Sequence, residues 1–160
     1  MTSTPVVTDP ITGAVVPEGV TCPSAGQTVY DYVQFGSDWG PSDSFTVANN
    51  TDRDGTETGS VTVTGSLSTT VSGEVGLQAG EAVAQLNAKF GVAVTLTATI
   101  SQTYSFSVPV PAHKKVTGRA GIFILHYSVY EYQIDEKCNK NLVGTGTVDA
   151  VKKYAELDPA

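Results

Sequence analysis

From Ser60 to Leu77 the chain alternates between two chemistries. Odd positions carry Val61, Val63, Leu67, Val71, Val75 and Leu77, and even positions carry Ser60, Thr62, Thr64, Ser66, Ser68, Thr70, Ser72 and Glu74. A period of two marks a strand with one apolar and one polar face, and it excludes an amphipathic helix. An average strand is about five or six residues long. At about 3.4 Å per residue, this run could reach nearly 60 Å. Gly65, Thr69 and Gly73 interrupt the apolar face and mark candidate bends or bulges.

A second run begins near Phe90 with the opposite parity. Its apolar side is Phe90, Val92, Val94, Leu96, Ala98, Ile100, Tyr104, Phe106, Val108 and Val110, and Thr95, Thr97, Thr99, Ser101, Thr103, Ser105 and Ser107 line the other side. Residues 78–89, between the runs, fit two patterns. Val83, Leu86 and Phe90 sit at helical spacing, whereas Ala82, Ala84, Leu86 and Ala88 fit a continuing strand, so both readings stay open.

The remaining segments also read as β. Thr28 to Phe35 is an aromatic, β-branched strand, residues 36–41 suggest a turn or loop built around Trp39, and Ser44 to Ala48 suggests a second short strand. Residues 49–59 are polar and turn-rich. Residues 121–134 are apolar on both faces at first, as in a central, doubly covered strand. A polar turn with Cys138 follows, then a last strand over 142–151, and the tail 152–160 suggests a short helix or coil. Pro5, Pro10, Pro17 and Pro23 make residues 1–28 an extended Pro-rich arm. Residues 29–160 then form a single all-β domain. Apart from Phe90, every aromatic lies outside residues 46–103, which suggests a compact aromatic end and a slimmer shaft built from the ribbons.

Composition narrows the functional classes. With 16% charged residues and about a fifth Ser and Thr, the chain lacks the material for a helical bundle. A net charge of -7 argues against general nucleic-acid binding. No Gly-rich phosphate loop, nucleophile elbow or cofactor motif is present, so no enzymatic activity, metal or cofactor is expected. Cys22 and Cys138 have neither CxxC spacing nor nearby histidines, and we expect them to form a disulfide, as in extracellular Ser/Thr-rich β proteins. Residues 1–5 resemble no signal peptide, which keeps a virion component beside a secreted protein.

The long ribbons Ser60–Leu77 and Phe90–Val110, with the following run Val110–Gly118, resemble the pore-forming module of aerolysin-like proteins, in their epsilon-toxin and mosquitocidal-toxin branch. The layout is also similar to that of small secreted β proteins of actinobacteria. The resemblance implies an elongated, twisted antiparallel sheet, assembly of monomers into a ring, and a membrane-inserting β-hairpin. It makes the apolar residues of the ribbons, chiefly Val61, Val63, Leu67, Val71, Val75, Leu77, Val92, Val94, Leu96 and Ile100, candidates for membrane insertion or assembly. Beside it stand two other readings: a structural or attachment subunit of an extracellular or viral assembly, and a glycan-binding module. Two further groups are candidates for contact. His113, Lys114, Lys115 and Arg119 concentrate positive charge suited to anionic headgroups. Trp39, with Tyr30 and Tyr32, suits a receptor or cell-surface glycan. Asn49-Asn50-Thr51 matches a glycosylation sequon, and Asp52 to Glu57 faintly resembles a calcium loop.

Overall fold

The computed structural model describes residues 7–159; Pro5 and the start of the arm, and Ala160, lie outside them. The elements are β1 (Val7–Thr8), β2 (Val15–Val16), β3 (Thr28–Ala48), β4 (Gly55–Ser68), β5 (Thr70–Gly73), α1 (Ala79–Phe90), β6 (Thr97–Val110), β7 (Lys115–Ile134) and β8 (Lys140–Pro159). An antiparallel sheet in the order β3-β7-β8-β5 is the frame. Strands β4 and β6 form a separate two-stranded sheet.

Strand β3 runs unbroken for 21 residues, so the expected turn at 36–41 is absent. Two register shifts, between Gln34 and Gly36 and between Trp39 and Ser42, absorb the residues that read as a turn. Pro41, which cannot donate to a ladder, is tolerated because it lies in a bulge on an outer strand. The tail is likewise a strand: residues 152–159 pair with residues 116–123 of β7. Pairing with a central strand outweighs its mixed local propensity.

The ribbons differ from the sequence reading at their inner ends. The first breaks at Thr69, and β5 leaves to pair with the edge of β8. The second becomes a strand only at Thr97. Phe90 ends helix α1 instead, and Gly91, at φ 62°, terminates it with an N–H bonded to the Asn87 carbonyl. The helix suits its Ala-rich sequence, with Glu81 in the first turn and Lys89 in the last complementing the helix dipole. Val75, Leu77, Val92, Val94 and Leu96 are therefore not strand residues. Leu77 and Val94 are buried with Ala82 and Leu86 between α1 and the sheet.

The long sheet is covered on opposite faces in its two halves. Leu125, Tyr127 and Val129 of β7 pack with the helix residues Ala82 and Leu86. Ala120 and Ile122, of the other parity, pack with Val61, Val63, Ala98 and Ile100 of hairpin β4–β6. This change of face explains why β7 is apolar on both sides. It also means the ribbons lie along the sheet and do not project as a separate shaft. One close fit locks the two sheets: the Phe45 ring fills the space a Cβ would take at both Gly59 of β4 and Gly118 of β7.

At the far end, Cys22 and Cys138 form a disulfide, packed with Val16 and Ile134. The buried Asp9 carboxylate accepts hydrogen bonds from the backbone N–H groups of Ile11, Thr12 and Ser24. Its burial favours the neutral acid, but those donors outweigh it and hold its pKa below 3.8.

Candidate functional site

Hairpin β4–β6 separates the two chemistries of the ribbons most completely. Its strands pair over 14 residues each, from Gly55↔Val110 to Ser68↔Thr97, without a slip. The polar side brings hydroxyls opposite one another at Thr58/Ser107, Ser60/Ser105, Thr62/Thr103, Thr64/Ser101, Ser66/Thr99 and Ser68/Thr97. Three of these pairs hydrogen-bond, at 2.8 Å (Thr62–Thr103), 3.0 Å (Ser66–Thr99) and 3.2 Å (Ser68–Thr97). The apolar side contributes Val61, Val63, Ala98 and Ile100 to the core, with Leu67 partly buried beside them.

No strand of the long sheet pairs with β4 or β6 along their length. Packing holds the hairpin down, at about 1.5–3 kcal/mol for each fully buried Val or Ile. The disulfide lies outside the hairpin and does not tether it. Hydrogen bonds near its inner end, such as Thr95 N–H to the Val151 carbonyl, join the adjoining loop to β8.

Trp39 does not share a platform with Tyr30 and Tyr32. Tyr32 is buried beside α1, its hydroxyl donating to Gln85 Oε1 at 2.5 Å, and Tyr30 donates to the Gly76 carbonyl. Trp39 instead packs on Phe123, with ring centroids 5.0 Å apart, and on Tyr154 at 5.8 Å. The Arg119 guanidinium covers Trp39 at 4.8 Å, and Lys152 lies over Tyr154 at 5.1 Å. These residues form an aromatic–cationic patch on the half of the sheet face left open by α1. Phe123 and Tyr154 escape sequence reading because β7 and β8 bring them to Trp39 from 84 and 115 residues away in the chain.

The basic group also divides. Lys114 and Lys115 are exposed. His113 pairs with Asp52 at 2.6 Å, and Arg119 donates to Ser42 Oγ while it covers Trp39. Asn49 of the sequon is buried, its amide donating to the Arg53 and Val110 carbonyls, so it is a turn-forming residue and no open glycosylation acceptor. In the calcium-like stretch, Asp52 is occupied by His113 and Asp54 accepts the Ala112 N–H.

His126 is a second feature that sequence spacing did not reveal. Its Nδ1 lies 2.6 Å from Asp149 and its Nε2 lies 2.8 Å from Asp38, so both nitrogens face carboxylates. The bond to Asp149 is the main cause of a raised pKa; burial opposes it and Asp38 adds to it. Asp149 lies directly opposite His126 across the β7–β8 hairpin, which is the register that would have exposed the pair.

No protein-family model matches the chain, and no curated protein matches it. The chain is similar to a solved structure of a candidate pore-forming toxin from Bacteroides vulgatus, with 12% identity and a TM-score of 0.42. That match covers 81% of this chain and 55% of the other, so the chain spans about half its length. It is also similar to parasporin-2, a Bacillus thuringiensis toxin that recognizes cancer cells, with 20% identity and a TM-score of 0.26. That match covers 82% of this chain and 72% of the other. At these scores the reading of function rests on the geometry described above.

Proposed function

We propose that this is a non-enzymatic, extracellular β protein that assembles with further copies of itself on a membrane and inserts hairpin β4–β6 to form a pore. The observation that carries the reading is the hairpin itself: a self-paired ribbon, hydroxyl on one side and apolar on the other, held to its frame by side-chain packing. A membrane-crossing strand needs about 9–11 alternating residues, and an assembled barrel satisfies every backbone group only when it closes. Each arm offers 14 paired residues. Turning the apolar side to lipid leaves the hydroxyl track for a water-filled lumen.

The test is dye release from liposomes spanning zwitterionic, anionic and cholesterol-containing compositions, before and after limited proteolysis, with electron microscopy of the same samples. Release together with rings is the expected result. Intact vesicles under all of these conditions would overturn the proposal.

A glycan-binding reading is favoured by one specific feature, the Trp39–Phe123–Tyr154 patch with Arg119 at its side. Aromatic faces flanked by donors suit the stacking of a sugar ring. Wild-type binding on a glycan array that is lost in Trp39→Ala, with the β-sheet circular dichroism and a cooperative unfolding transition retained, supports it. No array signal from the wild type ends it.

A further inference from the structure

We propose that Asp9, Cys22 and Cys138 form a metal site in the reduced protein, one that takes a thiolate-seeking divalent cation of the zinc class and fastens the same end of the molecule that the disulfide fastens when oxidised. The site lies apart from hairpin β4–β6 and stands independently of the pore-forming reading.

The ligand set comes from three separate segments. Asp9 follows β1, Cys22 lies in the loop after β2, and Cys138 sits in the turn between β7 and β8. One Asp9 carboxylate oxygen and the two Sγ atoms lie within 4.8 Å of one another. Asp9 and Cys22 are 0% and 2% exposed, and Cys138, at 9%, is the member nearest solvent. Sequence spacing does not reveal the set, because its third member is brought in by the fold of the arm.

The scaffold does not depend on the S–S bond. The Cys22 N–H donates to the Glu136 carbonyl at 2.8 Å, the Gly26 N–H to the Ile134 carbonyl at 2.8 Å, and the Ile134 N–H to the Gln27 carbonyl at 3.0 Å. These backbone bonds hold the loop of Cys22 against the turn of Cys138. The two Cα atoms are 5.3 Å apart. Two thiolates on one zinc ion sit about 3.8 Å apart, from Zn–S bonds of about 2.3 Å at a tetrahedral angle, and side-chain rotation reaches that separation. Asp9 is oriented as a ligating carboxylate is: the N–H groups of Ile11 and Thr12 donate to its Oδ1, and that of Ser24 to its Oδ2. Its Oδ2 also lies 3.5 Å from Cys22 Sγ, a distance at which a free thiol donates to it. The cation takes the place of that proton.

The chemistry needs a dithiol reductant, which is oxidised to its own disulfide as the Cys22–Cys138 bond breaks into two thiols. Zn2+ then binds both as thiolates and releases two protons. Two thiolates and Asp9 bring three negative charges, and the ion leaves one, faced by the N–H donors on Asp9. Without a cation, burying three like charges together is costly. Sulfur ligands select zinc over magnesium or calcium. An open cleft lined by Glu18, Thr21, Glu136 and Lys137, with chain neighbours of both cysteines among them, admits the reductant, the ion and a water for the fourth position.

The experiment reduces the full chain with a dithiol, desalts it under argon and titrates it with Cd2+ and with Zn2+. We expect one ion per chain and a thiolate-to-cadmium charge-transfer band. The melting temperature of the reduced protein should rise by about 5–10 °C when the free metal is at about a hundredfold excess over its dissociation constant. The oxidised protein should show neither band nor shift. X-ray absorption at the zinc edge of the loaded wild type should give two sulfur ligands at about 2.3 Å, with oxygen completing the shell. Asp9→Asn should keep both sulfur ligands and lose at least about tenfold in affinity, since even outer-shell partners contribute about 10–100-fold. Absence of stoichiometric binding overturns the proposal, as does equal binding by Cys22→Ser/Cys138→Ser or unchanged affinity in Asp9→Asn. If Asp9→Asn fails to fold, the wild-type absorption spectrum decides alone, and a shell of four sulfurs shared between two chains overturns the site.

Discussion

Reduction of Cys22–Cys138 tests the role of the end that stays fixed. The bond joins residues 116 apart in sequence. In the chain-entropy treatment, closing a loop of that size in the unfolded state contributes about 5 kcal/mol at room temperature. For a domain of this length, each kcal/mol shifts the melting temperature by about 2–4 °C, so reduction should lower it by about 10–20 °C. Part of the loss is local, because the disulfide packs with Val16 and Ile134 and the Cys22 Sγ lies 3.5 Å from buried Asp9. The assay is differential scanning calorimetry of the oxidised protein and of a Cys22→Ser/Cys138→Ser variant, with thiol titration of the denatured, unreduced wild type. Free thiols in the oxidised protein, or a shift below about 3 °C, would refute the loop-closure argument.

Three other outcomes follow from named contacts. Leu86→Ala, at a fully buried helix position, should cost about 2–4 kcal/mol by urea denaturation. Gly118→Val places side-chain atoms where the Phe45 ring lies; it should destabilise by more than about 2 kcal/mol, and pairing it with Phe45→Ala should recover part of the loss. His126 has a folded pKa raised above 6.5, so its stabilising contribution is complete below pH 6.5 and is lost as pH rises through the folded value. An NMR titration of the imidazole and denaturation against pH should show that loss in the wild type, and its absence in His126→Gln.

The sequence made alternation legible wherever an element has one buried face throughout. Val61, Val63, Ala98 and Ile100 read as the inside of two strands, and they are that. Legibility failed where tertiary pairing decides the outcome. Gly36 to Pro41 has turn chemistry, yet bulges carry it through a long strand. Residues 152–159 have no strong strand signal, yet β7 supplies a ladder for them. The ambiguity over residues 78–89 had a physical source, because the segment satisfies helical and strand periodicities together. The aromatic patch was half visible: Trp39 stood out, but its partners depend on strand registers that local patterns do not set. His126 looked isolated because its two carboxylates arrive from other strands.

Conductance across a planar bilayer is the most direct measurement of the central claim. The account predicts stepwise openings from the oligomerised protein. It also predicts that Ser66→Lys, which adds charge to the exposed hydroxyl track beside Thr99, shifts ion selectivity toward anions. Openings with unchanged selectivity in Ser66→Lys would contradict a lumen lined by that track, and a bilayer that stays silent at every protein concentration would contradict the pore itself.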